Sequence, residues 1–309
     1  MDSWATDAWT DPRWDDIGVG EIACPDGNLY LVAATTERPS MPATGRYASN
    51  RYQDSEIVAH VDLEYGTATN YLGQTQSLRL DLHVPPSHGT DRPLVILVHG
   101  GGFANGDKST MTNAARSYAR RGYVAATLGY RLNPTIPSFQ QLTEEQLEDY
   151  LEAARNAVDD GMESVRWLRD NAATYEIEPD RIAMLGTSAG GGLALGLAVV
   201  EDATPGGPLG HVSPRINAAV ATGATLALAL DEVAFDDTDS PIMMIHYEYD
   251  TATTATDQDV RATCMAVWDA GGTCDEVILP GEGHGSPLGT GGPWWTPEIG
   301  PYLWEHLDL

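Results

Sequence analysis

Residues 181–197 read RIAMLGTSAGGGLALGL, and the fold is predicted outward from this stretch. An apolar run leads into the G-x-S-x-G sequence of residues 186–190, called here the serine turn, and small residues able to form a helix follow it. This order predicts a buried strand, a sharp turn that exposes Ser188, and a helix. Gly186 and Gly190 suit the turn because the neighbours of a strained residue must be nearly without side chains. The helix start would direct backbone N–H groups toward negative charge developing beside Ser188.

Length, composition and charge limit the class of protein. The chain has 309 residues, 42% of them hydrophobic, which is enough for one large α/β domain or two small ones. No apolar run approaches the roughly 20 residues that a membrane-spanning helix needs. The formal net charge is −28, and Lys108 is the only lysine among 17 basic residues. Such a field repels nucleic acid and anionic membranes, so neither is an expected partner. As the explanation of this charge, a solvated acidic surface is favoured over the recruitment of a cationic substrate.

The three cysteines bear on metal binding and on the compartment. Cys24, Cys264 and Cys274 lack zinc-site spacing, so no metal site is expected. Cys264 falls in a predicted helix and Cys274 opens the next strand, so a disulfide between them is favoured, with two free thiols as the alternative. The N-terminus shows neither a basic start nor an apolar stretch, so no signal peptide is visible. Because a disulfide needs an oxidising compartment, secretion is favoured over a cytoplasmic location.

Two regions are predicted along the chain. Residues 1–55 show no sustained period and are predicted to form an irregular N-terminal segment. Its tryptophans Trp4, Trp9 and Trp14 would pack on the main body or border the active-site cleft. Residues 56–309 are predicted to form a single catalytic domain.

Predicted strands alternate with predicted helices in the second region. Strands are predicted at residues 56–65, 77–84, 94–98, 123–128, 182–185, 217–222, 242–247 and 276–279. Helices are predicted at residues 111–121, 143–171, 189–197, 226–233, 257–270 and 297–307. The second helix is expected to be interrupted at Gly161, and residues 178–180 are expected to form a turn. The alternation predicts an α/β fold with a mostly parallel central sheet, helices on both faces, and ligands at the carboxyl ends of the strands.

Three of the predicted strand ends carry the residue types that acyl hydrolysis requires. Ser188 is a candidate nucleophile, which needs a base. His284 is the one histidine that follows a late strand, and the glycines of GEGHG would let its imidazole reach Ser188. Asp250 ends the strand PIMMIHYEYD and would orient that imidazole, while Glu248 and Asp257 remain nearby alternatives for the acid. The order serine, acid, histidine is that of one known triad arrangement.

Oxyanion donors are expected from the glycines of residues 100–102, which follow an apolar strand. Their N–H groups can face the cleft with no side chain in the way. Gly101 and Gly102, with the N–H of Ala189, are the predicted donors, and Phe103 is predicted to line the acyl side of the substrate site. Losing one such donor typically raises the barrier by about 3–4 kcal/mol.

Together these motifs resemble α/β-hydrolase carboxylesterases with a His-Gly-Gly-Gly motif, as in the hormone-sensitive-lipase-like and related bacterial esterases. The matching sequences are HGGGFANGDK at residues 99–108, RRGYVAATLGYRL at 120–132, GTSAGG at 186–191 and GEGHG at 281–285. The resemblance spans about residue 56 to the C-terminus. It implies an α/β-hydrolase fold, Ser188 as nucleophile, His284 as base, Asp250 as acid, and no cofactor or metal. The chain departs from the family at Thr187, where many relatives carry an acidic residue, and at Tyr247, where glycine usually follows the histidine.

The expected function is hydrolysis of carboxylic esters with short to medium acyl chains, in a small molecule or on a polymer. Amide or peptide cleavage on the same triad and a catalytically silent binding protein are the alternatives. The oligomeric state stays open. His99 and His246 are interpreted as structural, and the pair Asp159-Asp160 as a solvated helix face. Residues 223–241, between two predicted strands, are too few for a cap domain.

Overall fold

The computed structural model describes residues 18–23, 29–34, 41–42, 45–87, 89, 92–137, 142–200, 209–230, 232–253, 255–285 and 298–309. The chain divides into two compact units, residues 1–41 and 42–309. The boundary differs from the predicted one because residues 42–55 belong to the larger unit. In that unit Tyr47 is buried, and its N–H donates to the Arg121 carbonyl at 3.0 Å.

The first unit contains regular structure where an irregular segment was predicted. Strands β1 (Gly18–Ala23) and β2 (Leu29–Ala34) pair in antiparallel register, with Gly18 opposite Ala34. Short strand-forming runs lie on either side of a Pro-Asp-Gly sequence, and such runs around a turn sequence predict a pair of strands even where no sustained period is present. Trp4, Trp9 and Trp14 lie outside the described residues, as does Cys24.

The second unit is built on an eight-stranded sheet with the spatial order β3-β4-β6-β5-β7-β8-β9-β10. The strands are β3 (Val58–Thr69), β4 (Thr75–Val84), β5 (Arg92–Val98), β6 (Val124–Leu128), β7 (Ile177–Thr187), β8 (Ala218–Thr222), β9 (Ile242–Asp250) and β10 (Cys274–Gly283). β4 pairs with β3 and β6 in antiparallel fashion, and the other neighbours are parallel. The mostly parallel α/β sheet that the sequence predicted is therefore confirmed.

Helices cover both faces of this sheet. They are α1 (Thr112–Arg121), α2 (Glu144–Asp170), α3 (Ala189–Ala198), α4 (Asp257–Asp269) and α5 (Ile299–His306), with a further helical turn at Ala172–Tyr175. Side chains of α2, α3 and α4 pack in one apolar cluster, and those of α1 and α5 pack in a second one. Helix α2 begins at a capping box, in which the Gln146 N–H donates to Thr143 Oγ1 at 3.3 Å. Among the described residues, no helix is both long and apolar enough to cross a bilayer.

Three local predictions were wrong. Helix α2 continues through Gly161 without interruption. A Cβ at this position would lie 2.9 Å from Leu193 Cδ2, so the glycine serves the close packing of α2 on α3. Residues 178–180 are part of β7, since Glu176, at a φ of 54°, turns the chain before the strand begins. In the described part of the predicted helix 226–233, which lacks residue 231, regular structure is limited to a helical turn of the 3-10 type at Ala227–Ala229.

Asp160 is buried, contrary to the predicted solvated face. Its carboxylate oxygens lie 2.9 and 3.0 Å from Arg131 Nε, and the Arg131 backbone N–H donates to it at 2.7 Å. Burial raises the pKa of the Asp160 carboxyl, and the Arg131 guanidinium partly offsets this rise. The pair fastens α2 to the loop after β6.

Cys264 and Cys274 are joined by a disulfide, with their Cα atoms 5.2 Å apart. The bond connects the middle of α4 to the first residue of β10. The disulfide predicted between these two cysteines is therefore confirmed.

Candidate active site

Ser188 lies at the junction of β7 and α3 in a strained conformation, with φ 53° and ψ −124°. Its N–H donates to the Thr222 carbonyl on β8 at 2.8 Å, and its carbonyl accepts from Gly192 N–H at 3.0 Å. A Cβ on Gly186 would lie 2.0 Å from the Gly190 carbonyl oxygen, so only glycine fits there. Close packing of the serine turn thus holds the serine at the carboxyl edge of the sheet.

The glycine loop, residues 99–106, follows β5 and packs against the serine turn. A Cβ on Gly100 would lie 3.0 Å from Ser188 Cβ. Gly101 has a φ of 125°, and a Cβ there would lie 1.9 Å from the Asn105 carbonyl oxygen. Gly102 has a φ of 61°, a conformation that glycine adopts at little cost.

The three predicted oxyanion donors lie on the two segments that meet at Ser188. Gly101 and Gly102 are on the glycine loop, and Ala189 is the first residue of α3. Within residues 92–137 and 142–200, no oxygen accepts a hydrogen bond from any of these three N–H groups. They are therefore able to donate to a substrate oxygen.

His99 supports the glycine loop from behind, in line with its structural interpretation. Its Nδ1 lies 2.7 Å from the Gly100 carbonyl oxygen, and its ring stacks on Tyr130 at 4.5 Å between centroids. The Tyr130 hydroxyl donates to the His99 carbonyl at 2.9 Å. Burial lowers the pKa of His99, which keeps the ring neutral. Tyr130 directly precedes Arg131, which forms the ion pair with Asp160. This ion pair therefore anchors the loop segment that carries Tyr130.

Asp250 and His284 form a close pair at the ends of β9 and β10. His284 Nδ1 lies 2.7 Å from Asp250 Oδ2, and Asp250 Oδ1 accepts from the N–H groups of Ala252 at 2.8 Å and Thr253 at 2.7 Å. Burial raises the pKa of Asp250, but the His284 and backbone hydrogen bonds outweigh it and lower the pKa to about 2. The carboxylate is ionised, so it accepts from His284 Nδ1–H, and this tautomer leaves Nε2 as the unprotonated ring nitrogen.

The two alternative acids lie elsewhere. The Glu248 carboxylate accepts from Gly281 N–H at 3.3 Å on an exposed surface, and the Asp257 carboxylate lies 3.5 Å from Arg261 within α4. The structure therefore brings Asp250 together with His284, and it does this with neither Glu248 nor Asp257.

Thr187 and His246 support the site in ways that the sequence did not predict. Thr187 donates through Oγ1 to the Gly285 carbonyl at 3.1 Å and so holds the residue after His284. His246 is buried behind Asp250, with Nε2 3.5 Å from Asp250 Oδ2 and Nδ1 2.7 Å from the Tyr247 carbonyl oxygen. The spacing of four residues along a strand, which places both side chains on one face, is the signal that would have found His246.

Two cavities meet at Ser188. The large cleft, about 680 Å³, is lined by residues 100–102, Ser188 and His284, among others. The small pocket, about 200 Å³, is lined by Ser188, Phe103 and mostly apolar side chains from α2 and from residues 224–229. His284 is absent from the described lining of the small pocket. Among the described residues, no group of three or more His, Cys, Asp or Glu side chains is arranged to hold a metal ion.

Comparison with known proteins supports this architecture. The BD-FAE family matches residues 80–222, from β4 through the serine turn to β8. The chain is similar to phenmedipham hydrolase of Pseudarthrobacter oxydans, 31% identical over 114 residues, 37% of this chain and 21% of that protein. It is also similar to carboxylesterase NlhH of Mycobacterium tuberculosis, 28% identical over 155 residues, 50% of this chain and 43% of that protein. The matches span less than half the length of either relative.

Solved structures of esterase 2 from Thermogutta terrifontis share the fold. The form phosphorylated by paraoxon superposes with a TM-score of 0.61 at 21% identity, covering 81% of this chain and 92% of that one. The butyrate-bound form gives a TM-score of 0.62 at 20% identity with the same coverage. The sheet order and these structural similarities show that this chain has the α/β-hydrolase fold, and its residues 80–222 match the BD-FAE family.

Proposed function

We propose that this chain is a serine hydrolase that cleaves carboxylic esters with short to medium acyl chains. One observation carries the proposal: the strained Ser188, the Asp250-oriented His284 and the donors Gly101 and Gly102 surround a single cleft. Ser188 is the nucleophile, His284 the general base and acid, and Asp250 the group that orients His284.

The proposed reaction uses these residues in two acyl-transfer steps. His284 Nε2 takes the Ser188 hydroxyl proton as Oγ attacks the ester carbonyl, and the oxyanion accepts from the N–H groups of Gly101, Gly102 and Ala189. His284 then gives the proton to the leaving alcohol. Water activated by the same imidazole attacks the acyl-enzyme and releases the acid.

The two cavities support an assignment of the two halves of the ester. The leaving alcohol must lie near His284, because this residue protonates it, and His284 lines the large cleft. The acyl chain then enters the small pocket beside Phe103. The volume of this pocket, about 200 Å³, suits a short chain. The large cleft would receive the alcohol of a small molecule or of a polymer.

Labelling and turnover test the proposal on the full chain. A fluorophosphonate probe should attach to Ser188, and p-nitrophenyl esters should be hydrolysed faster than the matching anilide. Ser188→Ala should retain the folded structure and lose roughly 10⁴-fold or more of kcat. Labelling without turnover would favour a binding protein, and a faster anilide would favour an amidase. Comparable ester turnover in folded Ser188→Ala would end the triad assignment.

A further inference from the structure

Helix α3 is rich in glycine, which weakens helices. Residues 190–192 are three consecutive glycines, and Gly196 follows one turn later. Because glycine is among the poorest helix formers, each of these positions needs a physical reason. Close packing supplies it at three of them, since a Cβ on Gly190, Gly191 or Gly196 would lie 2.4, 2.9 or 2.7 Å from an atom of another residue.

Gly192 is different. Apart from its chain neighbours and the adjacent backbone of α3, a Cβ built there would come within 4 Å of one described atom, Phe103 Cζ, at an ordinary van der Waals distance of 3.5 Å. Its φ is outside the left-handed region, and its N–H makes the helical hydrogen bond to the Ser188 carbonyl at 3.0 Å. The described fold would therefore accept alanine at this position.

The space next to Gly192 belongs to the site. Gly192 lines the small pocket together with Ser188 and Phe103. It lies one helical turn after the nucleophile, and the direction of its missing side chain leads toward the Phe103 ring. A side chain at residue 192 would fill part of the pocket and leave the backbone in place.

We propose that Gly192 is a specificity-determining residue, which keeps the small pocket deep enough for acyl chains longer than acetyl. This inference rests on the proposed ester hydrolysis and on the placement of the acyl chain in the small pocket. Glycine at this position lowers the stability of the helix, and it leaves room for substrate between α3 and Phe103. One methylene more or less in an apolar pocket typically changes kcat/KM by about 10- to 200-fold.

The test compares Gly192→Ala with wild type on p-nitrophenyl acetate, butyrate and hexanoate, using the full chain. We expect the ratio of butyrate to acetate kcat/KM to fall by roughly 10-fold or more, and the hexanoate ratio to fall further. Because alanine is the better helix former, Tm should rise by about 2 °C. The ratios among acetate esters of different alcohols should stay as in wild type.

Gly196→Ala is the matched control on the same helix. Its Cβ would lie 2.7 Å from Val158 Cγ2, away from the described lining of both cavities, so it should lower Tm and leave the chain-length ratios as in wild type. Parallel chain-length profiles for Gly192→Ala and wild type would overturn the inference while leaving ester hydrolysis intact. A fall in Tm for Gly192→Ala would also overturn it, because the glycine would then serve the fold. A wild type inactive on every ester would overturn both proposals.

Discussion

At the residue scale, the orientation of His284 depends on a buried carboxylate that two histidines approach. Asp250 Oδ2 lies 2.7 Å from His284 Nδ1 and 3.5 Å from His246 Nε2, and the Asp250 side chain has no exposed surface. Burial alone would favour the neutral acid. The hydrogen bonds reverse that preference and keep the carboxylate ionised, with a pKa of about 2.

Replacing each nearby acid separates the acid of the triad from its neighbours. Asp250→Asn should lower kcat/KM by about 10³- to 10⁴-fold, because the amide no longer holds His284 in the tautomer that leaves Nε2 free. Glu248→Gln and Asp257→Asn are the matched controls and should stay within a few-fold of wild type. An inactive Glu248→Gln beside an active Asp250→Asn would show that Glu248 is the acid.

The same carboxylate should make stability depend on pH. Its pKa is lowered from 3.8 to about 2 in the folded state, so its contribution is present above the unfolded pKa and is lost as pH falls toward 2. The shift corresponds to about 2 kcal/mol at neutral pH. The free energy of unfolding, measured with urea, should be higher for wild type than for Asp250→Asn by about this amount at pH 6. The difference should shrink between pH 4 and pH 2. A constant difference across this range would contradict the assignment.

At the element scale, the ion pair of Asp160 and Arg131 attaches α2 to the loop that carries Tyr130. The two side chains are 2% and 14% exposed, so removing one partner leaves a largely buried charge. Asp160→Asn should lower the free energy of unfolding by about 3–5 kcal/mol, measured by urea unfolding.

The exposed pair of Arg155 and Glu148, 3.0 Å apart, is the control for Asp160. Because water screens it, Glu148→Gln should cost less than about 1 kcal/mol. Equal effects of Glu148→Gln and Asp160→Asn would show that burial adds nothing to the inner pair.

The disulfide of Cys264 and Cys274 stabilises the connection between α4 and β10. It closes a short loop, so the chain-entropy description gives roughly 2–3 kcal/mol. Replacing both cysteines with serine should lower the free energy of unfolding by that amount. Mass measurement after non-reducing alkylation should show two cysteines protected, and three alkylated cysteines in the native protein would rule the bond out.

At the scale of the whole molecule, the described part of the connection between β8 and β9 contains no cap domain. Within the described part of residues 223–241, regular structure consists of the turn Ala227–Ala229. We expect activity to be highest on short to medium acyl esters, with no jump when the substrate passes its solubility limit. Rates on tributyrin measured across that limit check this. A steep rise at the emulsion, together with faster turnover of long acyl chains, would contradict it.

The fold and the grouping of the site residues were predictable from local sequence. Strand and helix periods record which faces are buried, and a glycine pattern such as that of residues 186–190 records a backbone shape that few other residues allow. Parallel strands bring their carboxyl ends to one edge. Ser188, Asp250 and His284, each placed at such an end, were therefore predicted as one group, and the structure places them together.

Only the tertiary structure decided the contacts between distant segments. The inward position of Asp160, the bond from Thr187 to Gly285 and the place of His246 behind Asp250 depend on which elements pack against each other. The sequence also could not distinguish Gly192 from the packed glycines beside it. That difference is the distance from a Cβ to the nearest atom of another element, and local periodicity carries no information about such distances.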